Sequence, residues 1–293
     1  MVSQGKLFKE AVKSNRILQC LGATTAYHAI LAEHSGAKAL YVSGGGVAAS
    51  SLAVPDLGIS TLHDVATDVE RICERTDLPV LVDIDTGWGG SFNIARAICT
   101  IEKTGAAAVH IEDQIQQKRC GHRPNKELVS KSEMVDRVKA AVDARTDKDF
   151  VIMARTDSLA VHGLDAAIDT IGSCIDAGAD MVFPEAVTDI ETYKKITSTF
   201  SVPVLANITE FGKTPLLTTG ELADAGVKIA LYPLSAFRAA SLAALQVYEE
   251  VISKGTQQGA VEKMQTREQL YSHLKYHEHE QKLDALFNNG GKQ

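Results

Sequence analysis

At 293 residues the chain is as long as about two average domains, or as one barrel of alternating strands and helices, which commonly fills ~250 residues. Hydrophobic residues at 45% and charged ones at 23% supply a continuous core and exclude disorder for most of the chain, while a formal charge of -7 argues against a polyanionic partner such as nucleic acid. No apolar run approaches the ~20 residues that span a bilayer, and the opening MVSQGKLFKEAVKSNR lacks the apolar centre of a secretion signal, so a cytoplasmic protein with no membrane contact is expected.

Before Ile17, the spacing of Leu7, Phe8 and Val12 predicts a short amphipathic helix suited to covering the bottom of a barrel. Eight short apolar runs follow, at 17–21, 39–42, 80–84, 107–111, 150–154, 180–183, 202–206 and 228–231, with helical stretches between them. Four begin after a glycine turn, in HSGAKAL, KTGAAAV, DAGADMV and DAGVKIA, where the glycine supplies the left-handed cap of the preceding helix. Two begin after proline, in DLPVLVDID and SVPVLANIT, where the ring stops a helix and sets an extended start. The pattern predicts an α/β chain folded as a (β/α)8 TIM-type barrel, with 1–293 as one domain. Residues from about 235 onward read as extra helices over 235–254 and 261–287, suited to packing on a neighbouring subunit, followed by the polar tail NNGGKQ. Long loops are expected only after the second and fourth strands.

The apolar runs end in polar groups: Ser43, Asp83 and Asp85, Glu112 and Asp113, Arg155 and Asp157, Glu185, Asn207 and Thr209. In a barrel of this kind the carboxyl ends of the strands build the active site. In VDIDTGWGG, Asp83 and Asp85 alternate along a strand end and so project to one side. With Glu112 and Asp56 they offer an all-oxygen shell suited to Mg2+, or to Mn2+ in its place; capping of helices and pairing with arginine are the alternatives. The loop QKRCGHRPNK surrounds Cys120 with Lys118, Arg119, His122 and Arg123, positive neighbours expected to lower the thiol pKa and make it an acid or base near neutrality. The same loop reads either as a mobile lid over an anionic substrate or as a plain basic surface loop. In YVSGGGVAASS the chain passes from Tyr41 into Ser43, Gly44 and Gly45, where backbone N–H groups can approach a carboxylate or where the strand merely turns. No nucleotide-binding glycine fingerprint occurs. Arg155, Glu185, Asn207, Thr209 and Arg238 can clamp carboxylates. The five cysteines never form a CxxC pair, so reduced thiols are expected, with Cys20, Cys73, Cys99 and Cys174 as small core residues.

In chain order, SGGG, VDIDTGWG, HIEDQ, KRCGHRPNK, MARTD, FPEA, LANITEFG, LYPLSAFRA and MQTR resemble motifs of the isocitrate lyase and phosphoenolpyruvate mutase superfamily, nearly from end to end. KRCGHRPNK resembles the form found in the branch that cleaves 2-methylisocitrate; isocitrate-cleaving members typically carry a leucine-glycine segment after the histidine. The resemblance implies Mg2+-dependent cleavage of the tricarboxylate (2S,3R)-2-methylisocitrate to pyruvate and succinate, in the methylcitrate cycle of propionate breakdown. Isocitrate cleavage to glyoxylate and succinate is the alternative. It also implies a homotetramer of barrels whose C-terminal helices are exchanged between paired subunits. Carried over by residue, it implies that Asp83 and Asp85 hold Mg2+, with Asp56 and Glu112 helping through water, and that Ser43, Gly44 and Gly45 hold a substrate carboxylate. Cys120 becomes the catalytic acid, tuned by Lys118 and His122, with Tyr41 and Glu112 as candidate bases. Gly121, Arg155, Glu185, Asn207, Ile208, Thr209, Arg238 and Arg267 line the substrate site alongside Cys120.

Overall fold

All eight predicted runs form strands: β1 (Leu18–Gly22), β2 (Ala39–Val42), β3 (Val80–Asp83), β4 (Ala108–Glu112), β5 (Val151–Thr156), β6 (Met181–Pro184), β7 (Leu205–Asn207) and β8 (Ile229–Tyr232). The structure, a computed structural model, describes residues 3–288, so the predicted polar tail lies outside the described residues from 289 on. The strands are parallel and pair in the order β6-β5-β4-β3-β2-β1-β8-β7. Val182 of β6 bridges to Val204, just before β7, which joins the two ends of that order into a barrel. The helices are α1 (Gln4–Ser14), α2 (Ala26–His34), α3 (Gly44–Ser50), α4 (Leu62–Cys73), α5 (Ser91–Lys103), α6 (Lys131–Ala144), α7 (Ser158–His162), α8 (Leu164–Asp176), α9 (Ile190–Thr199) and α10 (Thr219–Asp224). The four glycines predicted to close α2, α5, α8 and α10 all take positive φ, at 94° for Gly36, 92° for Gly105, 104° for Gly178 and 82° for Gly226. A β-carbon is strained there, which is why those turns need glycine.

Alternation along the strands divides the core in two. One set of side chains, including Leu18, Cys20, Ala39, Tyr41, Leu81, Met153, Phe183, Leu205 and Leu231, fills the barrel interior. The other set, such as Leu40, Val42, Val82, Val109, Ile111 and Ile152, packs outward against the helices. As predicted, Phe8 and Val12 of α1 close the interior from below, where each buried apolar side chain contributes about 1.5–3 kcal/mol; Leu7 is only half-buried. A β-carbon on Gly5 would overlap the Asp149 carbonyl just before β5. Gly5→Ala should therefore cost about 1–3 kcal/mol of stability, read as a lower urea midpoint. An unchanged midpoint would show that α1 is not held against that turn.

Two expectations need correction. The segment 208–218 after β7 is a third long loop, built around the buried Thr209 and Thr214. Residues 261–287 are not one helix. A 3-10 turn, Gln258–Lys263, is followed by α12 (Arg267–His273) and α13 (Tyr276–Asn288), and both follow α11 (Ser235–Lys254). Thr266 and Gln269 form a capping box that starts α12 afresh, and Lys275, at φ 52°, breaks the chain before α13. The chain divides into two compact units, Met1–Phe237 and Arg238–Gln293. Within the second, Leu242, Leu245, Tyr248 and Ile252 of α11 are exposed.

Candidate active site

The inward parity of the strands carries polar side chains to the carboxyl end of the barrel. Tyr41 on β2, Asp83 on β3, His110 and Glu112 on β4, and Arg155 on β5 are all buried there. The register sets Asp83 beside His110 and Glu112 beside Arg155. His110 Nε2 lies 2.9 Å from the Tyr41 hydroxyl, and burial pulls this imidazole down to a pKa of about 3, so it is neutral.

Asp83 and Asp85 converge, but not by strand alternation. β3 ends at Asp83, and Asp85 turns back at φ 48°, donating its N–H to Asp83 Oδ1 at 3.0 Å. The Gly44 N–H donates to Asp83 Oδ2 at 3.1 Å. The glycines of SGGG are not a loop but the first turn of α3, with Ser43 as N-cap. Space is tight beside them: a β-carbon on Gly44 would lie 3.1 Å from both Asp83 Oδ2 and Asp85 Oδ1, and one on Gly45 would lie 3.1 Å from Asp56 Oδ2. Lys118 Nζ joins the acids, 2.5 Å from Asp85 Oδ1 and 2.9 Å from Asp56 Oδ1.

Among the described residues no three His, Cys, Asp or Glu side chains form a ready metal cage. Mg2+ does not require one, since it keeps several waters and takes one or two carboxylates plus substrate. Oxygens of Asp83 and Asp85 flanking one glycine-cleared space fit that mode. Glu112 adds to it, with both carboxylate oxygens lacking a hydrogen-bond partner. Burial pushes the Glu112 carboxyl well up in pKa, although Arg155 Nη1 stands 3.2 Å from it.

A second centre gathers around Arg155, whose Nη2 lies 3.2 Å from Asp157 and 3.4 Å from Glu185. Burial works against the Glu185 charge, but Arg155 and the bond to His122 outweigh it and hold the carboxyl down to about 2. His122 reaches Glu185 Oε1 at 3.1 Å through Nε2, while its Nδ1 accepts the Lys213 N–H at 3.0 Å. With Nδ1 acting as acceptor, the neutral ring carries its proton on Nε2. Asn207 Nδ2 completes the group, 3.4 Å from both Glu185 oxygens. A β-carbon on Gly212 would lie 2.8 Å from His122 Nδ1 and 2.9 Å from Thr209 Cγ2, so the unpredicted β7 loop closes this side of the cluster.

The cysteine loop is folded down onto this centre. A β-carbon on Gly121 would fall 2.5 Å from Glu185 Cγ and 2.6 Å from Arg155 Nη2. Cys120 is half-buried, and its thiol pKa is raised, not lowered as its basic neighbours suggest. Burial is the main cause; the His122 N–H is the largest opposing effect, Asp56 and Glu185 add to the rise, and Arg155 pulls the other way. Lys118 is committed to Asp85 and Asp56, and Arg119 and Arg123 are exposed.

The remaining expectations divide. Ile208 packs in the apolar layer with Val182, Val204 and Ala206, so its side chain is outside the polar cluster. Arg238 and Arg267 fall in the C-terminal unit. Sequence reasoning passed over His110 and Lys126, and named Asp113 and Asp157 only as polar strand ends without a role. The inward parity of HIE on β4 and RTD at the end of β5 carries the signal for His110 and Asp157; Lys126, in an irregular loop, gives none.

The sequence model of the family described as "Phosphoenolpyruvate phosphomutase" matches residues 8–252. The chain belongs to the phosphoenolpyruvate mutase and isocitrate lyase superfamily. Within this superfamily it is 58% identical over 288 residues to a protein of Salmonella typhimurium named "2-methylisocitrate lyase", covering 98% of each chain. It is 57% identical over 286 residues to the Escherichia coli protein of that name, covering 97% of each. Among solved structures, a 2,3-dimethylmalate lyase of the superfamily superimposes with a TM-score of 0.90 at 34% identity, covering 98% of this chain and 96% of the other.

Proposed function

We propose that this superfamily member cleaves 2-methylisocitrate to pyruvate and succinate with Mg2+ as cofactor. The observation that carries the reading is the cysteine loop, seated on Glu185 and Arg155 beside the acids that surround Gly44; the name shared by the closely similar relatives supports it. Asp83 and Asp85 would hold the cation, with Asp56 and Glu112 in support. When bound, Mg2+ supplies Lewis acidity that draws negative charge from the substrate's carboxylate and hydroxyl. Arg155 and the N–H group of Gly45 would bind substrate carboxylates, while the Gly44 N–H, which donates to Asp83 Oδ2, would hold that carboxylate in place. Of the two candidate bases, Glu112 suits the hydroxyl proton better than Tyr41: burial raises the proton affinity of its carboxylate and its oxygens lack hydrogen-bond partners, whereas the Tyr41 hydroxyl is bonded to His110 and burial holds its pKa far above its ordinary value. Loss of that proton lets the carbon–carbon bond break into pyruvate and the enediolate of succinate. His122, Asn207 and Thr209 meet the developing charge with preorganised donors, and Cys120 delivers the proton to carbon. A thiol kept protonated by burial is suited to that task.

The chain is further proposed to act in the cytoplasm as a homotetramer, each barrel forming one functional domain with its C-terminal helices, and those helices exchanged between subunits. The exposed apolar residues of α11 support the exchange, and a monomer by light scattering would count against it. The deciding assay compares 2-methylisocitrate with isocitrate, with and without Mg2+, detecting pyruvate and glyoxylate separately. Mg2+-dependent pyruvate release favouring the methylated substrate is expected. Preferential glyoxylate release would make isocitrate the substrate, and release of neither would remove the reading.

A further inference from the structure

One buried cation in the strand-end cluster has no part in the chemistry above. Lys126, at 7% exposure, directs its ammonium to the Asp157 carboxylate and donates to the Gly121 carbonyl at 2.6 Å. Asp157 is fixed from several sides. Its N–H donates to Asp113 Oδ1 at 2.9 Å, Thr156 donates its hydroxyl to the other Asp113 oxygen, and Arg155 Nε donates to Asp157 Oδ2 at 3.2 Å. The base of the cysteine loop is a short ladder, with the Ile115 N–H on the Glu127 carbonyl at 3.0 Å and the Val129 N–H on the Asp113 carbonyl at 2.9 Å. That ladder holds the backbone next to Lys126 against the segment that follows β4, at the base of the loop and apart from its tip. Of the two oxygens Lys126 bonds, only the Gly121 carbonyl belongs to the tip, and it lies between Cys120 and His122.

We infer that Lys126 is a positioning residue for Cys120, its ammonium tying the loop tip to the strand-end carboxylate of Asp157. The inference rests on the role given to Cys120 above. If the tip lifts, the ammonium stays buried against Asp157 and loses its second acceptor, so lifting is disfavoured wherever water cannot replace the carbonyl. The Gln114 side chain pins Arg119 through both of its backbone groups, at 2.9 Å each, which fixes the approach to the tip but leaves Gly121 to Lys126.

The test is Lys126→Met in the full-length protein, which removes the charge while Asp157 keeps Arg155. Iodoacetamide labelling, followed peptide by peptide, should proceed about tenfold or more faster at Cys120 than in the unsubstituted protein, with Cys99 unchanged. In turnover of 2-methylisocitrate, kcat should fall about tenfold to a hundredfold while KM moves little, because binding persists and proton delivery is misplaced. A Cys120 labelling rate that is unchanged, or raised no more than that of Cys99, overturns the inference whatever the activity. Faster labelling of Cys120 alone, in a protein whose unsubstituted form does not cleave 2-methylisocitrate, upholds the tie and removes the functional reading instead.

Discussion

Replacing Cys120 by serine is expected to lower kcat by about 10^3-fold or more while KM and product affinity change only a few-fold, since a positioned general acid contributes about 10^2–10^4-fold. The substitution keeps size and position but exchanges a thiol for a hydroxyl, a far weaker acid at neutral pH. Succinate binding, measured by calorimetry in the presence of Mg2+, separates loss of chemistry from loss of the site. The pH profile gives an independent check with a definite sign. Burial, Asp56 and Glu185 raise the Cys120 pKa, so the thiol is neutral through pH 7 and is lost as an acid only as pH climbs past its raised value. Activity limited by Cys120 should therefore hold on the neutral side and fall at high pH. A rate that rises with thiol ionisation would make the thiolate the working form, and near-normal turnover in Cys120→Ser would remove Cys120 from the mechanism.

The barrel was legible because its signals are local: an apolar run bounded by a glycine cap or a proline needs no distant partner to be read. Each strand edge came within a few residues, and the polar side chains that end the strands are buried together at the carboxyl end of the barrel. What stayed hidden depends on distance. The approach of Asp83 to Asp85 looked like strand periodicity, yet arises from the left-handed turn at Asp85. The charge around Cys120 looked like activation, yet Lys118 spends its charge on Asp85 and Asp56, residues far away in sequence. Ile208 was carried over by resemblance, and the parity of β7 turns its side chain outward. Burial and ion pairing, which decide these cases, are properties of the closed barrel.

Gly121→Ala should disable the enzyme without unfolding it. The position is not conformational, for Gly121 is absent from the residues with positive φ; what it lacks is room. Its β-carbon would stand 2.5 Å from Glu185 Cγ and 2.6 Å from Arg155 Nη2. Both neighbours belong to one buried set of ion pairs, Arg155 with Glu112, Asp157 and Glu185, and shifting either breaks bonds that no water can replace. The loop tip has no core of its own, so the lower-cost relief is for the tip to rise. Stability should then stay within a few degrees of Tm, while kcat/KM falls about 10^2–10^3-fold, because a displacement of about 1 Å at a reacting group can alone cost 10^2-fold. Gly36→Ala supplies the contrasting case. It meets nothing within 4 Å but stands at φ 94°, so it should lower Tm and leave turnover per folded molecule unchanged. Wild-type kcat/KM in Gly121→Ala would show that the loop need not close on Glu185 and Arg155 for the reaction to proceed.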